Sequence, residues 1–186
     1  MKRITAKLFV FVFIAISIIF TSNIKAQTLP FAADFTDNTL GQMSSYSVTG
    51  DQQWQTNSYG NPAPCGYISG YSGEFIANED WLITPALDFS SISGAILNFD
   101  EAINYTGSVE NEQEIYVSTD YSGTGDPSAA TWTELNITGR STGDNWDWFT
   151  VDAYDLSDYV GESSVYVGFK YTSTTSVAGT WEIDNI

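Results

Sequence analysis

Val165, Val167, Phe169 and Tyr171 alternate with Tyr166, Gly168 and Lys170. Strand side chains point to opposite faces in turn, so this run has one continuous apolar face only as a β-strand. The same period of two recurs in short runs along the chain. Phe31, Ala33 and Phe35 share a face, as do Ala95, Leu97 and Phe99, then Ile115 and Val117, and at the end Trp181 and Ile183. Shorter segments at Tyr46–Val48, Trp54–Thr56, Tyr67–Ser69, Trp132–Ile137 and Phe149–Val151 read the same way. Between them lie turn formers, densest at Asn57–Gly66 and Asp120–Pro127. The stretch Asp80–Phe89 reads as two strands hinged at Pro85, which has no N–H to give a ladder and belongs at an edge or corner. Only Tyr154–Val160 is patterned for a helical turn. About ten short strands rich in Thr, Val, Tyr and Trp predict an all-β, two-sheet sandwich.

The first residues are organised differently. Met1–Lys7 is basic, Leu8–Phe20 is apolar and too short to span a bilayer comfortably, and Thr21–Ala26 is polar and ends on a small residue. This predicts a secretory signal peptide over 1–26, followed by one domain over 27–186. The chain stops at Ile186 inside an apparent strand, so the expectation is a domain cut from a longer protein.

Removal of 1–26 takes four of the six basic residues with it. Arg140 and Lys170 then stand alone against 23 acids, two against 23, a formal charge of −21. Such a surface repels phosphate backbones and anionic lipid, which argues against nucleic-acid partners and membrane-surface binding; with the leader gone, no membrane insertion is expected. It favours cations, calcium above all. The chain has no histidine, which excludes Ser-His-Asp and Cys-His nucleophilic sites and His-ligated zinc. Cys65 is the single cysteine, so there is no internal disulfide, and it is expected as a partly buried residue at a turn.

Three stretches resemble one family. They are Asp80-Trp81-Leu82-Ile83-Thr84-Pro85-Ala86-Leu87-Asp88; then Ile115–Gly123 running on through Asp126-Pro127 to Ala130-Thr131-Trp132-Thr133; and Val165–Tyr171 with Trp181-Glu182-Ile183-Asp184-Asn185-Ile186. Together they resemble the choice-of-anchor J domain, related to the cleaved-adhesin domains of gingipain-type proteins of Bacteroidetes-like bacteria. The resemblance implies a jelly-roll sandwich like that of carbohydrate-binding modules, secreted or held at the cell surface, non-catalytic, used in adhesion or binding, and calcium-bearing. Relatives often carry an acid two residues before the first-strand Phe; here that place is Ala33, with Asp34 beside it.

Glu182 and Asp184 project from one strand face, and two carboxylates beside backbone carbonyls suit calcium. In jelly rolls of this kind the first and last strands lie close, so Asp34 is expected to complete the cage. Asp144-Asn145-Trp146-Asp147-Trp148 sets two indoles among acids and amides, the mixture a sugar groove needs. Of these, Trp146 and Asp147 are the expected ligand-binding residues and Trp148 is expected in the core. Asp100 and Glu101 are adjacent in a strand and point to opposite faces, so they cannot flank one glycosidic bond. The sequence thus predicts a calcium-stabilised module that binds an extracellular glycan or protein and has no catalytic residues. A second reading is the accessory domain of a larger extracellular hydrolase, and a free-standing glycoside hydrolase comes last.

Overall fold

The computed structural model describes residues 26–27 and 29–186; the leader read at 1–26 lies, apart from Ala26, outside the described residues. Ten strands follow in chain order: β1 (Ser44–Thr49), β2 (Gln55–Asn57), β3 (Cys65–Ser69), β4 (Asn78–Ile83), β5 (Ile96–Asn104), β6 (Gln113–Ser118), β7 (Thr133–Glu134), β8 (Phe149–Asp155), β9 (Tyr166–Ser173) and β10 (Thr180–Asp184). They form two five-stranded antiparallel sheets, β1-β4-β9-β6-β7 and β2-β3-β10-β5-β8. The predicted all-β jelly-roll sandwich is what the chain forms.

The alternation seen in the sequence sets the core. Val165, Val167, Phe169 and Tyr171 all face inward and are buried. Across the first sheet Leu82, Phe169 and Ile115 stand in register. From the second sheet Phe99, Ile103, Trp181 and Ile183 meet them, with Phe99 edge-on to Phe169 at 5.4 Å and Trp54 tilted on Trp181 at 5.4 Å. Each such aromatic pair adds about 0.5–1.5 kcal/mol beyond its buried area.

Several local expectations are corrected. Leu29–Phe35 forms no strand: Ala33 exchanges two backbone hydrogen bonds with Ile186, and Phe35 takes a positive φ of 51°, which ends the extended run. The second half of the Pro85 hinge is reduced to bridges from Leu87 to Gln27 and Val165, because Pro85 interrupts the ladder. Trp132–Ile137 contributes only two strand residues. The run read for a helical turn, Tyr154–Val160, does hold a 3₁₀ turn at Ser157–Tyr159, and an α-helical turn that was not expected lies at Val109–Glu112. Cys65 opens β3 and is fully buried rather than placed at a turn. Burial pushes its thiol far up, with the Glu182 and Asp184 charges adding to the shift.

One buried ion pair was not foreseen. Glu101 is fully buried, and its carboxylate accepts from Arg140 Nε (3.1 Å), Arg140 Nη2 (2.7 Å), the Ser141 N–H (3.0 Å) and the Trp181 indole N–H (3.1 Å). The Arg140 guanidinium also donates to the Gln113 carbonyl and lies 5.4 Å from the centre of the Trp181 ring. Each acceptor site on Glu101 is answered, which is the condition for burying a charge.

Candidate functional site

The outward residues of the second sheet form an unusual floor. Glu182 pairs across the strands with Tyr67 on one side and Ala102 on the other; Thr180 pairs with Ser69 and Asn104. These positions alternate with the inward Trp181 and Ile183, so the face follows from strand period alone. It is not left to open solvent. The loop Ser58–Pro64 rises on one side and Tyr105–Gly107 and Ser141–Trp148 on the other, leaving two cavities of about 710 and 770 Å3.

Both cavities are lined by Tyr67 and Thr180, so they adjoin. The first also carries Tyr59, Trp146 and Trp148, the second Tyr71, Phe75 and Tyr105. Five of the six exposed large hydrophobic side chains among the described residues, Tyr59, Tyr71, Phe75, Tyr105 and Trp146, stand around these two cavities. Two of the contacts that hold them are aromatic: Trp146 is edge-on to Tyr105 at 5.9 Å, and Phe75 is tilted on Tyr71 at 5.6 Å.

Glu182 lies on the floor of this groove, 4% exposed, and burial pushes its carboxyl up to about 7. Among the described residues no group donates a hydrogen bond to it, so its hydrogen-bonding capacity faces the cavity. At neutral pH such a carboxyl can both donate and accept toward a polar ligand.

The predicted site residues are distributed as follows. Trp146 is exposed (43%) and lines the groove. Trp148, expected in the core, is half-buried and lines the same groove, because Asn145 and Asp147 turn the chain between them: the Asp147 N–H donates to Asn145 Oδ1 (3.1 Å), and Asn145 Nδ2 donates to Asp147 Oδ2 (2.6 Å). Asp147 is exposed and lines neither cavity.

Asp34, Glu182 and Asp184 are not gathered into one set, and among the described residues no three His, Cys, Asp or Glu side chains sit close enough to hold a metal ion. Asp184 lies at the end of the floor, fully buried, accepting from the Asn61 N–H (2.9 Å) and the Asn185 N–H (2.8 Å). Burial raises its pKa, the two N–H groups oppose this, and the charges of Asp100 and Asp34 raise it further. Asp184 thus shares its surroundings with Asp34 and Asp100, and Glu182 belongs to the groove. Asp100, unremarked in the sequence as a neighbour of Asp184, is placed by the β5–β10 register, which pairs the two residues. Its oxygens accept from Thr150 Oγ1 (2.6 Å) and Asn185 Nδ2 (2.8 Å).

No family model matches this sequence, and no curated protein matches it. Solved structures do. The K3 cleaved adhesin domain of Lys-gingipain from Porphyromonas gingivalis superposes over 84% of this chain and 96% of its own, with a TM-score of 0.55 at 17% identity. The K2 cleaved adhesin domain of Lys-gingipain covers 84% of this chain and 98% of its own, with a TM-score of 0.50 at 12% identity. The chain therefore has the fold of the cleaved adhesin domains.

Proposed function

We propose that this chain is a non-catalytic glycan-binding module of a secreted or surface-held protein, with the sugar chain lying along the groove over β3 and β10. The observation that carries the reading is the concentration of five exposed aromatic rings around two adjoining cavities whose floor is polar. Rings in a wall offer apolar faces to the C–H surfaces of pyranoses, and Glu182, Thr180 and Asn57 offer hydroxyl partners. Hydrolysis of a glycosidic bond needs two carboxyls flanking it, and Glu182 is the single acid lining the two cavities.

Affinity electrophoresis through gels containing xylan, mannan or mixed-linkage glucan tests this. Retardation by at least one polymer is expected, with Trp146→Ala weakening it about tenfold, the loss of about 1.4 kcal/mol. No retardation by any polymer, or product release that Glu182→Gln abolishes, would overturn the reading.

Calcium is placed, as part of the same proposal, at Asp184. The support is that Asp184 is buried within reach of the charges of Asp100 and Asp34, a repulsion that a cation held by Asp184 with backbone oxygens and water would relieve without a three-carboxylate cage. Calcium at a hundredfold excess over Kd stabilises by about 2.7 kcal/mol, a melting shift of roughly 5–10 °C for a domain of this size. Magnesium at matched ionic strength is expected to do less, and Asp184→Asn to remove most of the calcium shift. Equal shifts by the two ions would remove calcium from the proposal.

A further inference from the structure

The inner face of the first sheet is apolar at one end and polar at the other. Ser47, Asp80, Tyr171 and Gln113 stand in register across β1, β4, β9 and β6, with Asn78 two residues along β4 from Asp80. Tyr171 is satisfied: its hydroxyl donates to the Gly179 carbonyl (2.6 Å) and accepts from the Gly70 N–H (2.7 Å). Asp80 and Asn78 are not. Asp80 is fully buried and both of its carboxylate oxygens lack a partner; Asn78 is 3% exposed and both its amide oxygen and its amide nitrogen lack one. Leaving a buried polar group unpartnered is costly, and a charged one more so, so a pair of them needs something present to answer them.

The surroundings are rich in oxygen. The β1–β4 register slips between Ser47 and Thr49, a bulge that bends the strand locally. Ser47 Oγ lies 3.4 Å from both the Thr49 and the Gly50 carbonyl oxygens. It faces Asp80 across the pair. Gly50 takes φ +89°, and a Cβ there would fall 1.4 Å from Asn78 Oδ1, so the Asn78 amide oxygen packs against the bulge itself. Thr49 and Gly50 are exposed, at the surface end of the bulge.

We propose that the β1 bulge is a second calcium site, with Asp80 and Asn78 supplying side-chain oxygens and Thr49 and Gly50 supplying carbonyls. One carboxylate, one amide oxygen, backbone carbonyls and a hydroxyl are the hard donors calcium takes, six to eight at a time, with water completing the shell. Among the described residues Asp80 has no cation of its own: Lys170 is paired with Glu114 at 2.9 Å and Arg140 with Glu101 at 2.7 Å. The ion would lie against the inner face of the first sheet, whereas Asp184 faces outward from the second.

Native mass spectrometry of the full chain in calcium acetate counts the ions, and the variants tell the two sites apart. Asp80→Asn should lose one calcium and keep the one governed by Asp184; Asn78→Asp adds a carboxylate and should tighten the same ion at least tenfold. Hydrogen exchange of the wild-type protein reads the site without substitution: calcium should slow exchange over Ser47–Asp51. An unchanged ion count in Asp80→Asn, an unchanged affinity in Asn78→Asp, or calcium-dependent protection confined to Asn61 and Asn185 would overturn the site and leave buried water as the partner of Asp80.

Discussion

Both sheets carry aromatic residues on their outer faces, and the two faces end up unlike. On the first sheet Trp81 lies 4.8 Å from Trp132 and 5.4 Å from Tyr116, and Tyr121 meets both Trp132 (5.5 Å) and Tyr166 (5.2 Å). The loop after β6 folds over the sheet to do this, pinned where Asp120 Oδ1 accepts from the Thr131 N–H (2.8 Å) and the Trp132 indole donates to the Pro127 carbonyl (2.9 Å). The ammonium of Lys170 rests 6.0 Å from the Trp81 ring. That face is closed by its own chain. On the second sheet the loops rise at the sides and leave the rings open. Aromatic content is the same kind of signal in both places; what separates a second core from an open groove is whether a loop is tied down over it.

Substitutions should split along that line. Trp81→Ala removes a buried indole from the closed face and should cost about 3–5 kcal/mol. Urea unfolding would show it as a lower midpoint at unchanged slope, with glycan retardation intact once the protein is folded. Gly168→Ala comes next: a Cβ there would lie 3.0 Å from both Trp81 and Trp132 and wedge the stack apart, for about 1–3 kcal/mol on the same assay. On the open face Tyr105→Ala should change stability by about 0.5 kcal/mol or less, since Tyr105 is 69% exposed, while weakening glycan binding several-fold. A stability loss at Tyr105 as large as that at Trp81 would erase the distinction between the faces.

A pH titration sharpens it further. Burial holds Glu182 in the folded protein at about 7, above its ordinary value of 4.5. Between those values the folded state binds the proton and the unfolded chain does not, so this contribution to stability is full below about 4.5 and is lost as pH rises through about 7. Asp80, raised to about 7 chiefly by burial, acts in the same direction. In chelator, melting temperature should therefore fall from pH 5 to pH 8, and Glu182→Gln should flatten part of that slope. A slope unchanged by Glu182→Gln would mean that its proton is not held by the groove.

The sandwich was legible because a period of two survives any rearrangement of the loops. Val165, Val167, Phe169, Tyr171, Trp181 and Ile183 face inward as their alternation requires. The groove was half legible. Trp146 could be singled out, but Tyr59, the local pair Tyr71 and Phe75, and Tyr105 come from segments far apart in sequence and meet only through the order of β2, β3, β10 and β5. Trp148 was misplaced because alternation within a loop carries no information about which side is solvent. Asp80 escaped notice for the opposite reason. In a strand bearing Trp81, Leu82 and Ile83 an acid reads as the solvent-facing partner, yet the register turns Asp80 inward with Leu82. The partnership of Glu101 with Arg140, 39 positions away, left no local trace at all.

Glu101 holds more than a charge. Its carboxylate grips Arg140 and Ser141, and its backbone pairs with Phe149 across β5 and β8. Both roots of the segment that carries Trp146 and Trp148 are therefore fastened to a single residue, itself sealed in the sandwich. The entropy of closing that loop is settled when the domain folds, and a glycan bound as proposed would meet walls that need no ordering. Slow hydrogen exchange at the Ser141 amide and a small entropic penalty of binding would be the calorimetric and kinetic signatures of a groove built before its guest.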